Sequence, residues 1–248
     1  MSASLAALSP EVRQYLVVTG NYWAFTLTDG ALRMLVVLHF HGLGYTPLEV
    51  ALLFLFYEIF GVITNLLGGW LGARLGLNTT MNVGLLLQVV ALAMLLLPPE
   101  SLTVAWVMAA QALSGIAKDL NKMSAKSAIK LLVPADAQGA LYRWVALLTG
   151  SKNALKGFGF FLGGVLLTAL GFTLAVGVMC AALFVVWVFS LLVLRRDLGK
   201  STAKPKFRHL FSKSRSINLL SAARLFLFAA RDVWFVVALP VYLSSQLG

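Results

Sequence analysis

Eleven ionisable side chains sit inside stretches that are otherwise almost wholly apolar: Asp29, Arg33, Glu58, Lys118, Asp119, Lys122, Lys152, Lys156, Arg224, Arg231 and Asp232. A charge at the centre of a bilayer costs about 2.5–3.5 kcal/mol on insertion scales, so a set this size turned to lipid would cost on the order of 30 kcal/mol. Most must therefore face a protein interior or a water-filled cavity. Lys122 and Arg224 lie near the ends of their stretches and can snorkel toward water, but Asp29, Arg33, Lys152, Lys156 and Arg231 are too deep for that. Spacing puts them on common faces: Asp29 and Arg33 are four apart, as are Lys152 and Lys156, and Lys118 and Lys122 continue in fours to Lys126 and Lys130. Pairing of Asp29 with Arg33 and Arg231 with Asp232 would hold a bundle together without binding anything. It cannot neutralise a set of seven cations and four anions. The surplus implies a ligand with several negative charges, most simply a phosphate- or carboxylate-bearing metabolite, which guanidinium and ammonium groups suit.

The elements that carry these groups must be membrane spans. The chain of 248 residues is 60% hydrophobic and 12% charged, whereas globular domains average about 45–50% apolar and 25% charged. Seven runs are long enough for the roughly 17–25 helical residues that cross a bilayer: Tyr15–Phe40, Pro47–Ala73, Met81–Leu97, Leu102–Leu120, Leu141–Leu170, Phe172–Leu194 and Ile217–Leu243. No cleavable signal peptide is visible at the N-terminus.

The basic residues set the orientation. Lys118, Lys122, Lys126, Lys130 and Arg143 lie between or at the ends of spans four and five, and a second group runs from Arg195 to Arg215 after span six. The connections His41–Thr46, Pro98–Ser101 and Gly171 have none. The N-terminus and the even-numbered loops are therefore expected in the cytoplasm. The net charge of +11 is thus a topological signal, and the Arg195–Arg215 stretch reads as a cytoplasmic linker, with no nucleic-acid partner. On that side the acceptor-like Asn78-Thr79-Thr80 reads as a turn. His39 and His41 read as interfacial packing, since further metal ligands are missing. Gly68, Gly72 and Gly76, and Gly159 with Gly163, have the spacing that lets helices approach closely.

The organisation is a six-helix transmembrane half (1–194), a basic linker (195–216) and the start of a second transmembrane half (217–248). Span seven resembles span one, each placing an acid (Asp232, Asp29) about two turns into an apolar helix. The chain is therefore expected to be the first seven of about twelve spans of a two-half transporter. A retinal receptor would need a lysine in span seven, which has Arg224 and Arg231 and no Lys. A membrane enzyme would need a nucleophile–base or metal constellation, and a channel would more often show rings of one charge.

Gly69-Trp70-Leu71-Gly72-Ala73-Arg74-Leu75-Gly76 resembles the loop motif of the major facilitator superfamily, Gly-x-x-x-Asp-Arg-x-Gly, with Ala73 in place of the acid and Leu77 in place of the following base. Gly159-Phe160-Phe161-Leu162-Gly163-Gly164 is similar to its exporter motif, Gly-Pro-x-x-Gly-Gly, with Phe160 in place of proline. Longer stretches, Tyr22-Trp-Ala-Phe-Thr-Leu-Thr-Asp-Gly-Ala-Leu-Arg33, Gly115-Ile-Ala-Lys-Asp-Leu-Asn-Lys-Met-Ser-Ala-Lys126, Gly150-Ser-Lys-Asn-Ala-Leu-Lys156 and Ala222-Ala-Arg-Leu-Phe-Leu-Phe228, resemble the organoarsenical efflux permeases of bacterial arsenic-resistance operons, the ArsJ type. The likeness runs from Glu11 onward. It implies an all-α permease of the bacterial inner membrane, monomeric at full length and using neither cofactor nor metal. Its cargo would be 1-arseno-3-phosphoglycerate, made from arsenate by a glyceraldehyde-3-phosphate dehydrogenase, so that export confers arsenate resistance. Another organic anion, such as a sugar phosphate or carboxylate, suits the same charges. Under alternating access, Arg33, Lys118, Lys122, Lys152, Lys156 and Arg231 would clamp the oxyanions. Asp29, Glu58, Asp119 and Asp232 would act as counter-ions, or one of them as a proton carrier.

Overall fold

A backbone in hydrocarbon has no water to satisfy its polar groups, so it must hydrogen-bond to itself, and a helix does this within each span. The computed structural model describes residues 9–132, 138–194, 198–200 and 214–247, and all of its regular structure is helical. Helix α1 is Pro10–Gly42, α2 Pro47–Leu53, α3 Leu55–Leu75, α4 Leu77–Met94, α5 Val104–Leu132, α6 Gln138–Val193, α7 Arg215–Asp232 and α8 Leu239–Leu247. A 3-10 turn at Pro99–Ser101 precedes α5, and a π-helical segment, Val233–Ala238, joins α7 to α8.

These elements make seven membrane-length stretches. Helices α2 and α3 form one span with a jog at Phe54, where the backbone leaves the helical path (φ −94°, ψ −1°). Helix α6 is two spans joined at Gly171, whose φ of +74° is open to glycine and strained for other residues. Its contacts show the reversal. Ser151, Gly159 and Gly163 meet Trp23, Gly30 and Ala31 in ascending order along α1, whereas Phe172 meets His39, Ser190 meets Asn21 and Val193 meets Gln14. The two arms of α6 thus run parallel and antiparallel to α1. By the same reasoning α4 and α5 are antiparallel, through Trp106 with Met94 and Ser114 with Gln88. Helices α3 and α5 are parallel, through Gly61 with Asp119 and Gly68 with Met123.

The surface is apolar and polar groups are inside. Leu66, Phe161, Val185 and Leu192 are exposed, while Asp29, Arg33, Gln88, Gln111, Ser114, Asp119, Asn121 and Ser124 are buried. Such an exterior belongs in lipid. Among the described residues, three stretches, Pro47–Leu75, Leu77–Met94 and Gly139–Val193, are uniformly apolar enough to cross on length and composition. Helices α1 and α5 carry most of the buried polar residues instead, including Asp29, Arg33 and Asp119.

Two sequence expectations are corrected. Asn78-Thr79-Thr80 is no turn: it lies in the first turns of α4, with Asn78 and Thr80 buried and the Thr80 hydroxyl donating to the Gly76 carbonyl at 2.8 Å. Gly76 does not continue the Gly68–Gly72 stripe but ends α3 with φ +93°. The fourth span also continues past Leu120 to Leu132, so Lys118, Lys122, Lys126 and Lys130 share one helix. The histidines pack as expected: the His39 ring stacks on Phe172 with centroids 4.1 Å apart. The small-residue contacts are close. A methyl group on Gly30 would lie 2.9 Å from the Lys156 carbonyl, and one on Gly159 would lie 2.7 Å from that of Leu27.

Candidate functional site

Tyr57, on the first turn of α3 just past the jog at Phe54, is the pivot of the charged interior and is fully buried. It is held there because Gly115 on α5 offers no side chain: a methyl group at Gly115 would overlap the Tyr57 backbone. One turn further, Gly61 leaves room for Asp119 in the same way. Two glycines on facing helices thus bring α3 and α5 together where the charges are.

Two helices converge on the Tyr57 side chain. From α1, Asp29 accepts its hydroxyl hydrogen at 2.6 Å, a charge-assisted bond to a buried carboxylate. Also from α1, the Arg33 guanidinium carbon lies 4.0 Å from the ring centroid, and from α5 the Lys118 Nζ lies 4.1 Å from it. Cations at that range are attracted by the ring's electron-rich face, more strongly when desolvated. Beside Tyr57, Glu58 is shared between the same two cations: Arg33 donates to Oε1 at 2.5 Å, and Lys118 approaches Oε2 at 3.8 Å. The Glu58 side chain is 41% exposed while that of Arg33 is 3% exposed. The carboxylate therefore stands at the mouth of the pair and the guanidinium at its base. Next to Lys118 on α5, buried Asp119 accepts from Lys122, one turn further on, at 2.9 Å.

The local pair Asp29–Arg33 suggested by spacing gives way to contacts between helices, Asp29 with Tyr57 and Arg33 with Glu58. Lys152, half-buried on the first arm of α6, makes no ion pair among the described residues and lies within electrostatic reach of Lys118, Lys122, Lys126 and Asp29. Lys156 is half-buried on the same arm, its Nζ 5.6 Å from the Phe160 ring centroid. Arg231 and Asp232 occupy the last turn of α7, before the π-helical segment that packs against α2; their side chains lie outside the described residues. Two apolar surface grooves, one including Met34, Leu38 and Phe160 and the other Leu227, Trp234 and Phe235, hold none of the cations.

Sequence reasoning missed Tyr57, Phe54, Gly61 and Gly115, because an aromatic or a lone glycine inside an apolar run has no contrast with its neighbours. One consequence is testable at once. Tyr57→Phe keeps the ring beneath both cations and removes the donor from buried Asp29, an unmet acceptor costing about 1–3 kcal/mol. The detergent-solubilised variant should melt several degrees below the parent protein. An unchanged melting temperature would mean that Asp29 does not depend on this hydroxyl.

Residues 15–248 match the sequence model of the Major Facilitator Superfamily. Among solved structures, a bacterial homologue of the human drug peptide transporters PepT1 and PepT2 is 17% identical over 95% of this chain and 54% of its own, with a TM-score of 0.62. The POT family transporter PepTSo is 19% identical over 86% of this chain and 47% of its own, with a TM-score of 0.63. A peptide transporter POT in complex with sulfate is 17% identical over 95% and 46%, with a TM-score of 0.56. These likenesses are of fold, and the chain spans about half the length of each of these proteins. No curated protein matches it in sequence.

Proposed function

The chain belongs to the Major Facilitator Superfamily, and from that premise we propose that it serves a secondary transporter that carries a multiply anionic small molecule across the bacterial inner membrane by alternating access. The cargo is 1-arseno-3-phosphoglycerate, the metabolite implied by the resemblance to organoarsenical permeases, and its export confers arsenate resistance. The observation that carries the reading is the convergence of Arg33 and Lys118 on a single carboxylate, Glu58, beside Lys152, which makes no ion pair among the described residues.

Buried cations need an anionic partner, and removing it leaves a costly unpaired charge. In the unloaded protein Glu58 is that partner for Arg33 and Lys118. An arriving oxyanion replaces the Glu58 carboxylate on both, with Lys122, Lys152, Lys156 and Arg231 completing the clamp. Asp29, Glu58, Asp119 and Asp232 limit repulsion among the cations when the cargo leaves. The basic ends of the even-numbered loops favour a cytoplasmic N-terminus, and in this reading loading occurs from the side on which a glyceraldehyde-3-phosphate dehydrogenase makes the cargo.

The test is arsenate resistance in an arsenate-sensitive bacterium expressing the full gene product with and without that dehydrogenase. Resistance that requires both proteins, with arsenate recovered in the medium, is the expected result. No resistance, together with sugar-phosphate or carboxylate uptake by vesicles of the same cells, would replace the organoarsenical cargo with another organic anion.

A further inference from the structure

Asp29 and Arg33 stand four residues apart on α1, acid before base, the order in which a pair along a helix is most favourable. Both side chains are buried, where opposite charges attract more strongly than in water. They are nevertheless not an ion pair. Among the described residues Asp29 has no cationic partner, and Arg33 reaches across to Glu58 on α3. Tyr57 engages both α1 side chains at once. Its hydroxyl donates to the Asp29 carboxylate at 2.6 Å, and its ring centroid lies 4.0 Å from the Arg33 guanidinium carbon.

The place of Tyr57 is set by backbone packing rather than by these charges. Helix α3 crosses α5 at Gly115, where an added methyl group would overlap the Tyr57 backbone. The phenol offers two opposite electrostatic features from that fixed position: a hydroxyl hydrogen that suits a carboxylate, and a ring face that suits a cation. One side chain thus satisfies Asp29 and draws Arg33 away from it. A second aromatic face, that of Phe54, lies 5.8 Å from the same guanidinium carbon, and Lys118 Nζ lies 4.1 Å from the Tyr57 centroid. The partner Arg33 takes instead of Asp29 is Glu58, whose side chain is exposed at the mouth of the cluster.

We propose that Tyr57 is a positioning residue of the anion site: it keeps Asp29 from capturing Arg33, so that the guanidinium stays turned toward Glu58 and toward an anion that replaces Glu58. The proposal rests on the anion-transport reading and deepens it. An Arg33 closed on Asp29 would first have to leave a pair within its own helix. The apparent affinity for the anion would then fall with the fraction of molecules in which Arg33 still faces the site. Tyr57 removes that competition without removing either charge.

The test is calorimetric titration of the full protein in phosphatidylcholine nanodiscs with glycerol 3-phosphate, which gives an affinity and a number of sites separately. In Tyr57→Phe the ring remains but the donor to Asp29 is gone, so Asp29 takes Arg33. The affinity should fall roughly tenfold or more while the number of sites stays the same. Combining Tyr57→Phe with Asp29→Asn removes the competing charge, and most of the lost affinity should return. A fold merely loosened by the substitution would instead lower the number of sites and leave the affinity of the remaining ones unchanged, which would contradict a positioning role. Parent-like affinity in Tyr57→Phe, or a double variant as weak as the single one, would overturn the proposal and leave the anion-transport reading standing. Absence of glycerol 3-phosphate binding by the parent protein would overturn both.

Discussion

Arg33→Ala is expected to abolish arsenate resistance while leaving the amount of protein in the membrane unchanged. Arg33 is the most buried cation of the described set, its guanidinium bonded to Glu58 and lying over the Tyr57 ring. Truncating one partner of a buried, hydrogen-bonded charge pair costs about 2–5 kcal/mol, a loss of roughly thirtyfold to several thousandfold in anion affinity. Arg33→Lys keeps the charge but not the planar fork, so it should restore only part of the function. Lys156→Ala is expected to share the phenotype, since the proposed clamp draws charge from α6 as well as from α1. Normal resistance in both alanine variants, with normal expression, would remove the two residues from the site.

The second large effect concerns assembly. Gly115→Leu should yield little folded protein, because even the first carbon of a side chain there would overlap the backbone of α3 at Tyr57. Backbone cannot move aside as a flexible side chain can, so α3 and α5 would have to separate, breaking the Gly61–Asp119 and Gly68–Met123 contacts as well. Overpacking a core by a methylene or two typically costs 1–3 kcal/mol, and a whole leucine against backbone exceeds that range. Gly150→Ala is the control. It lies on α6 with no atom within 4 Å of the added carbon and should match or slightly exceed the parent, as alanine favours helix over glycine by about 1 kcal/mol. Size-exclusion profiles and thermal melts in detergent distinguish the two. A monodisperse Gly115→Leu variant with the parent's melting temperature would show that the helices are not held at this crossing.

How far the structure could be read from the residues depends on contrast. Charges in apolar runs stand out, and so do the membrane-length runs themselves. The seven spans and the interior positions of Asp29, Arg33 and Asp119 were therefore legible, as was the close approach at Gly159 and Gly163. Partner choice was not. Periodicity says which residues share a face of one helix, as Asp29 and Arg33 do, but which neighbouring helix supplies Tyr57 or Glu58 follows from the crossing of α1, α3 and α5. That crossing depends on Gly61 and Gly115, isolated glycines without the spacing that marks a packing motif. Asn78 and Thr80 misled for a related reason. Polar residues at the end of a span look like a turn, yet in a bundle with a polar interior they can begin a helix and face inward.

The most direct test of the central claim is the affinity of the full protein, in neutral-lipid nanodiscs, for glycerol and glycerol 3-phosphate, two probes that differ by a phosphate group. A cationic interior should bind glycerol 3-phosphate, bind it less tightly as salt is raised, lose it in Arg33→Ala, and show no affinity for glycerol. Equal binding of the two compounds, or glycerol 3-phosphate binding that Arg33→Ala leaves unchanged, would contradict an interior built around an anion.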